Sequence, residues 1–237
     1  MKEPLIILKA GSTYPEIFKQ HGDFEDWMKA GLNLPEERTQ VVDAQDLVLS
    51  PDSHAVGAVV VTGAIEMVTD RAPWSEAAGE WLAGLYADGV PILGVCYGHQ
   101  LLAHVLGGNV GYHPAGREIG TVTFHTLPAA QDDLLFADLP ESFPAQATHA
   151  QSVLTLPEGS VRLASSDIDL NSAFRIGERA WGVQFHPEFS APVMRMYVDI
   201  QREVIREQGR DPDQVLEAVH SSPARHVLER FGKLLAY

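Results

Sequence analysis

Three side chains in this sequence have the types and spacing for nucleophilic catalysis through a covalent intermediate. Cys96, the only cysteine of 237 residues, stands in Gly94-Val95-Cys96-Tyr97-Gly98-His99-Gln100. His186 and Glu188 stand two apart in Trp181-Gly182-Val183-Gln184-Phe185-His186-Pro187-Glu188-Phe189. A thiolate supplies the nucleophile, an imidazole takes and returns the proton, and a carboxylate fixes the imidazole tautomer.

The elements around them have the right character to position such a trio. Pro91 to Val95 reads as a buried strand, and Leu101, Leu102, Val105 and Leu106 then recur at helical spacing. Cys96 therefore falls on a strand-to-helix corner, between glycines that let the chain turn tightly. The start of a helix brings unpaired N–H groups and the positive end of its dipole to the sulfur, which favours the thiolate. An isolated cysteine is more often a small buried hydrophobe; the corner and the second motif favour the nucleophile. Residues 180–185 read as a strand with His186 at its end, where Pro187 obliges the extended chain to continue or turn. In an extended chain residues i and i+2 face the same way, roughly 7 Å apart. His186 and Glu188 are thus expected on one side.

Taken with further pieces in the same order, these motifs resemble the class I, or triad, glutamine amidotransferases. The pieces are Val59-Val60-Val61-Thr62-Gly63-Ala64, the cysteine motif and Leu106-Gly107-Gly108, followed by Gly116-Arg117-Glu118-Ile119-Gly120, His149-Ala150-Gln151-Ser152-Val153 and the histidine motif. The resemblance runs over residues 41 to 190. It implies a three-layer, flavodoxin-like α/β fold with a mostly parallel sheet flanked by helices. It further implies that Cys96 attacks the side-chain amide of glutamine, that His186 is the base and that Glu188 orients it. The backbone N–H groups of Gly63 and Tyr97 would hold the oxyanion. Gln100 and the backbone around Ala150 and Gln151 would hold the α-amino and α-carboxylate end. Where many relatives carry Gly-Gly-Pro, this chain has Thr62-Gly63-Ala64.

Composition agrees with an enzyme of this size. The hydrophobic content of 45% suffices for a large core. No run of 18 apolar residues occurs, so no membrane span is expected. Met1-Lys2-Glu3-Pro4 before Leu5-Ile6-Ile7-Leu8 reads as a lead into a first strand rather than a signal peptide. A single cysteine excludes an internal disulfide and a Cys-rich metal site, and the cytoplasm is the expected compartment. The net charge of −15 repels phosphate backbones, which argues against nucleic-acid binding. His99 and His104 are five apart on a helix and His113, His125 and His149 have no ligand cluster around them in sequence, so no metal is expected. The glycines of Gly107-Gly108-Asn109-Val110-Gly111 match no phosphate loop or dinucleotide fingerprint, and no cofactor is expected.

Alternating elements predict a βαβ sheet with the active residues at the carboxyl ends of its strands. Strands are expected at 5–9, 40–43, 56–61, 91–95, 108–113, 119–126, 161–165, 172–176 and 180–185, partly antiparallel in the middle. A helix is expected at 74–87, with Trp74, Ala78, Trp81, Leu82 and Leu85 as its apolar stripe. Tyr14 to Met28 reads as partly helical, with Phe24, Trp27 and Met28 on one side. Residues 1–190 read as the catalytic domain. Residues 191–237 read as a helical extension packed on it, with Ser190 as a cap, Pro192 in the first turn and Val193, Tyr197, Ile200 and Val204 on one face.

The fate of the ammonia is left open. After residue 190 no stretch has the size of a synthase domain, and no ATP-binding loop is present. One expectation is a glutaminase that hands ammonia to a separate synthase subunit. Another is a free-standing hydrolase of small γ-glutamyl compounds. A third, opposed by the intact trio, is a non-catalytic binding protein of the same fold.

Overall fold

A computed structural model describes residues 3–46 and 55–235. Among these, strands β1 (Leu5–Lys9), β2 (Thr39–Asp43), β3 (Ala58–Val61) and β4 (Ile92–Val95) lie parallel, joined by β11 (Ala180–Val183), in the order β2-β1-β3-β4-β11. The sheet continues antiparallel through β10 (Ala173–Ile176), β9 (Val161–Ser165), β6 (Glu118–Thr126) and β7 (Ser142–His149). Strands β5 (Asn109–Tyr112) and β8 (Gln151–Thr155) pair separately as a two-stranded antiparallel sheet.

The parallel strands are apolar because both their faces are covered. Leu5, Ile7, Val60 and Leu93 point to one face, where they meet Met28 and Leu32 of α2 (Phe24–Leu32). Ile6, Leu8, Val59 and Ile92 point to the other, against Ala78 and Leu82 of α3 (Pro73–Ala87) and Leu101 and Leu102 of α4 (Tyr97–Val105). Each such side chain, fully buried, contributes about 1.5–3 kcal/mol. The expected stripe of α3 is met with Trp74 and Trp81 at its partly buried margin. The region from Tyr14 divides into α1 (Pro15–His21) and α2, with Asp23 capping the second.

Helices α5 (Ala191–Ile200), α6 (Arg202–Glu207), α7 (Pro212–Glu217) and α8 (His226–Lys233) follow the last strand. Ser190 caps α5 through the Val193 N–H, with Pro192 in the first turn. The expected apolar face does not persist to its end. Ile200 is exposed and Val204 only half-buried, while Ile205 is buried. The helix breaks at Gln201, so the phase of its buried face shifts. Helix α8 completes the first core face: Phe231 meets the Trp181 indole edge-on, and Gly232 lies so close to Leu32 of α2 that a Cβ there would overlap the Leu32 carbonyl oxygen.

Strands β7 and β8 are absent from the sequence-based assignment. Pro144 argues against a strand in 142–149, yet β7 is the edge of the sheet and pairs only with β6, so the missing N–H costs nothing there. The β8 signal is obscured because Gln151 and Ser152 are polar yet buried.

The glycines beside Cys96 serve close approach, not the turn. Neither Gly94 nor Gly98 has positive φ; Cys96 itself does. A Cβ on Gly94 would overlap the Gly98 carbonyl oxygen, and one on Gly98 would stand 2.6 Å from the Val61 oxygen. The start of α4 thus rests directly on β3 and β4. Gly94→Ala is expected to lower unfolding free energy by ~1–3 kcal/mol through overpacking, read as a reduced urea midpoint by tryptophan fluorescence. An unchanged midpoint would show that α4 can retreat.

Candidate active site

Three neighbouring parallel strands deliver the predicted residues to one end of the sheet. Gly63 lies two residues beyond β3, Cys96 one beyond β4 and His186 three beyond β11. Loops at these carboxyl ends converge by topology. Cys96 has φ 51° and ψ −98°, a conformation that costs ~1–3 kcal/mol in a non-glycine residue. It persists because both backbone groups are held. The Cys96 N–H donates to the Val183 carbonyl at 2.8 Å, and its carbonyl accepts the Gln100 N–H at 3.1 Å.

The imidazole is held from three sides. The His186 N–H donates to the Gln146 carbonyl at 2.8 Å, tying it to β7. Nδ1 donates to Glu188 Oε1 at 2.7 Å. The ring stacks on Phe189 at 4.0 Å between centroids and faces Phe24 at 6.2 Å. The pairing with Glu188 is the expected one, but its geometry differs from an extended chain: Pro187 and Glu188 form a turn that folds the carboxylate back to the ring. Phe24 is in turn placed by Asp23, which accepts the Phe24 and Thr13 N–H groups and pairs with Lys9 at 2.8 Å.

Cys96, His186 and Glu188 are nearly buried, at 5%, 2% and 8% exposure. Cys96 and His186 line one cavity of about 90 Å³. Burial alone would pull the His186 imidazole down. The Glu188 carboxylate and the Cys96 sulfur outweigh burial and push it up to about 10. With Nδ1 taken by Glu188, Nε2 is left for the sulfur.

The remaining predicted residues surround this pair. A Cβ on Gly63 would stand 2.9 Å from His186 Cε1, so the glycine lies directly against the ring. The departure at Thr62 gives the loop its own brace: the hydroxyl accepts the Ala10 N–H at 3.0 Å and donates to the Gly63 carbonyl at 2.9 Å. Tyr97 turns its side chain away, hydrogen-bonded to Ser75 at 2.6 Å and stacked on Trp74. Its backbone N–H, as the first of α4, has no partner within the helix.

Gln100, Ala150 and Gln151 all line the cavity. Gln100 Nε2 donates to the Gln151 carbonyl at 2.7 Å and to Gln184 Oε1 at 3.0 Å, so only its side-chain oxygen is left for a ligand. His149 braces the same turn, bridging the Gln151 carbonyl and the Glu118 carboxylate at 3.0 Å each. His99, three residues past Cys96, is fully buried against Phe174. Burial pulls it down to about 4, which leaves it neutral.

Sequence reasoning missed part of the wall. Tyr14 and Phe24 enter from the amino-terminal helices, and Tyr197 and Gln201 from α5 and its end. Their positions are set by packing between distant segments and carry no local signal. Arg117 also lines the cavity; it lies within a quoted motif, and a lone cation there was the available clue.

The sequence model of the glutamine amidotransferase class-I family matches residues 36–198. The GMP synthase [glutamine-hydrolyzing] of Bacteroides fragilis is 36% identical over 137 residues, 57% of this chain and 25% of that protein. One subunit of the GMP synthase [glutamine-hydrolyzing] of Archaeoglobus fulgidus is 38% identical over 117 residues, 47% of this chain and 62% of that one. The matched stretch is thus a quarter of the first relative and under two thirds of the second. A glutamine amidotransferase crystal structure from Methylobacillus flagellatus superimposes with a TM-score of 0.78 over 99% of this chain and 96% of that one, at 22% identity, a likeness of fold. With the family match spanning most of its length, the chain belongs to the class I glutamine amidotransferases.

Proposed function

We propose that this protein hydrolyses the γ-amide bond of glutamine through a γ-glutamyl thioester on Cys96. The observation that carries this reading is the strained Cys96 corner sharing a cavity with a buried imidazole whose other nitrogen is held by Glu188.

The Cys96 sulfur attacks the carbonyl carbon of the side-chain amide, forming a C–S bond while the carbonyl π electrons move onto oxygen. The N–H groups of Gly63 and Tyr97 hold that oxyanion, each worth about 3 kcal/mol of barrier. The tetrahedral species collapses as the C–N bond breaks, and the His186 imidazolium gives its proton to the departing nitrogen, releasing ammonia. A water then attacks the thioester, His186 takes its proton, and glutamate leaves as the C–S bond breaks. Gln100 and the turn at Ala150 and Gln151 hold the α-amino and α-carboxylate end.

Passage of ammonia to a separate synthase is supported by the similarity to the Archaeoglobus fulgidus protein, itself one subunit of a GMP synthase. A second reading, hydrolysis of small γ-glutamyl compounds, is favoured by the cation Arg117 in the cavity, for which the amide nitrogen of glutamine offers no partner.

Release of glutamate, together with ammonia from glutamine or the free amine from γ-glutamyl compounds, tests the chemistry. Cys96→Ala should abolish turnover and retain the fold; undiminished release would remove the nucleophile assignment. His186→Asn should cost on the order of 10⁴-fold in kcat, and Glu188→Gln distinctly less, since it acts through the ring. A Glu188→Gln loss as deep as that of Cys96→Ala would contradict that ranking.

The raised His186 pKa sets the direction of the pH effect. The imidazolium that protonates the leaving nitrogen persists through neutral pH and is lost as pH rises through about 10. Ammonia release should hold across neutral pH and fall toward that value. NMR titration of the ring should show the same proton loss, at lower pH in Cys96→Ala and in Glu188→Gln; a ring already neutral at pH 7 in the intact protein would refute the ion-pair arrangement.

A further inference from the structure

The cavity holds a strong cation that bond cleavage at Cys96 does not use. Arg117 is half-buried and lines the same space as the nucleophile. Its Nη1 donates to Gln201 Oε1 at 2.6 Å, and Gln201 Nε2 donates to Thr148 Oγ1 at 3.0 Å. Gln201 is itself buried, so the guanidinium is clamped against the wall rather than free to swing into solvent. The clamp is neutral. Among the described residues no Asp or Glu makes an ion pair with Arg117, whereas Arg175 holds Asp133 and Arg202 holds Asp199 and Asp213.

Arg38, Arg195 and Arg210 also bond to neutral oxygens alone, but of these arginines it is Arg117 that lines the cavity holding Cys96, in a chain with 32 acidic and 17 basic residues. Withdrawing a guanidinium from water without an anion costs free energy. Its planar fork of N–H donors matches a carboxylate in two-point geometry. An arginine kept unpaired and oriented inside a reaction cavity is therefore suited to an anionic group that arrives with the substrate.

The placement bears on which group that is. The partners proposed for the glutamyl end, Gln100 and Gln151, are buried at 5% and 1% exposure, while Arg117 is more open to solvent. A substrate anchored deep by its glutamyl half extends its other half outward. Gln201 also lies beyond residues 36–198, so the clamp is partly built outside the stretch that matches the family.

We propose that Arg117, clamped by Gln201 and Thr148, is a carboxylate subsite for the leaving-group side of the substrate, so that γ-glutamyl amino acids are preferred over γ-glutamyl amides without that carboxylate. The proposal rests on the γ-glutamyl cleavage reading above and names the leaving group it favours.

Calorimetric binding to the Cys96→Ala protein tests it without turnover. The probes are γ-glutamylglycine, with a carboxylate beyond the scissile bond, and γ-glutamylethylamide, without one. γ-Glutamylglycine should bind more tightly. Adding Arg117→Gln should weaken it about 10-fold, the loss of one charge-assisted contact, and change ethylamide binding less than about 2-fold. Gln201→Glu keeps the arginine and sets a competing carboxylate beside it, and should weaken γ-glutamylglycine in the same selective way. Equal weakening of both probes would move Arg117 to the α-carboxylate they share; weakening of neither, or no binding of γ-glutamylglycine, would remove the subsite. Each of these overturns the proposal. Glutamate release from γ-glutamylglycine and γ-glutamylethylamide by the intact protein is measured alongside: its absence from both counts against the cleavage reading, while its presence with unselective binding counts against the subsite alone.

Discussion

The active end of this fold depends on one close approach, the start of α4 seated on the backbones of β3 and β4. Gly94 and Gly98 leave no side chain between them, and the corner residue absorbs the strain by adopting positive φ at Cys96. The Val183 carbonyl then accepts the Cys96 N–H, so β11 holds the same residue that β4 delivers. Since β11 also leads to His186, one pair of adjacent strands sets the relation of sulfur to imidazole. The buried imidazole is tolerable in its charged form because the Glu188 carboxylate stands against it.

The antiparallel half of the sheet supplies what the parallel half lacks. Strand β7 fixes His186 through the Gln146 carbonyl, and the turn from β7 into β8 brings Ala150 and Gln151 to the cavity. That turn is braced twice, by Gln100 from α4 and by His149 with Glu118 from β6. These are hydrogen bonds between buried polar groups, and such networks hold one arrangement when satisfied. The parallel strands thus position Cys96 and His186, while the antiparallel strands shape the space around them.

Much of this was legible in the residues, and the failures have physical causes. The apolar runs of β1, β3 and β4 and the stripe of α3 reflect burial on defined faces, a periodic signal. The Cys96 corner was readable, though the role of its glycines was not, because close approach to Val61 is a long-range fact. The pairing of His186 with Glu188 was anticipated through an extended chain; a turn achieves it instead. Strand β7 was hidden by Pro144, which an edge position excuses. The altered face after Ile200 follows from the break at Gln201, a residue drawn inward by Arg117 and Thr148. Tyr14, Phe24 and Tyr197 reach the cavity through packing between distant segments, which no local pattern encodes.

The fit of α8 against α2 has a consequence for how the chain acquires its shape during synthesis. Phe231 covers Trp181, made 50 positions earlier, and Gly232 nests on Leu32, made 200 positions earlier. The outer side of α2 and the Trp181 indole therefore stay uncovered on the ribosome until residues 226–233 have emerged. Contacts of such sequence separation slow folding and prolong the exposure of apolar surface.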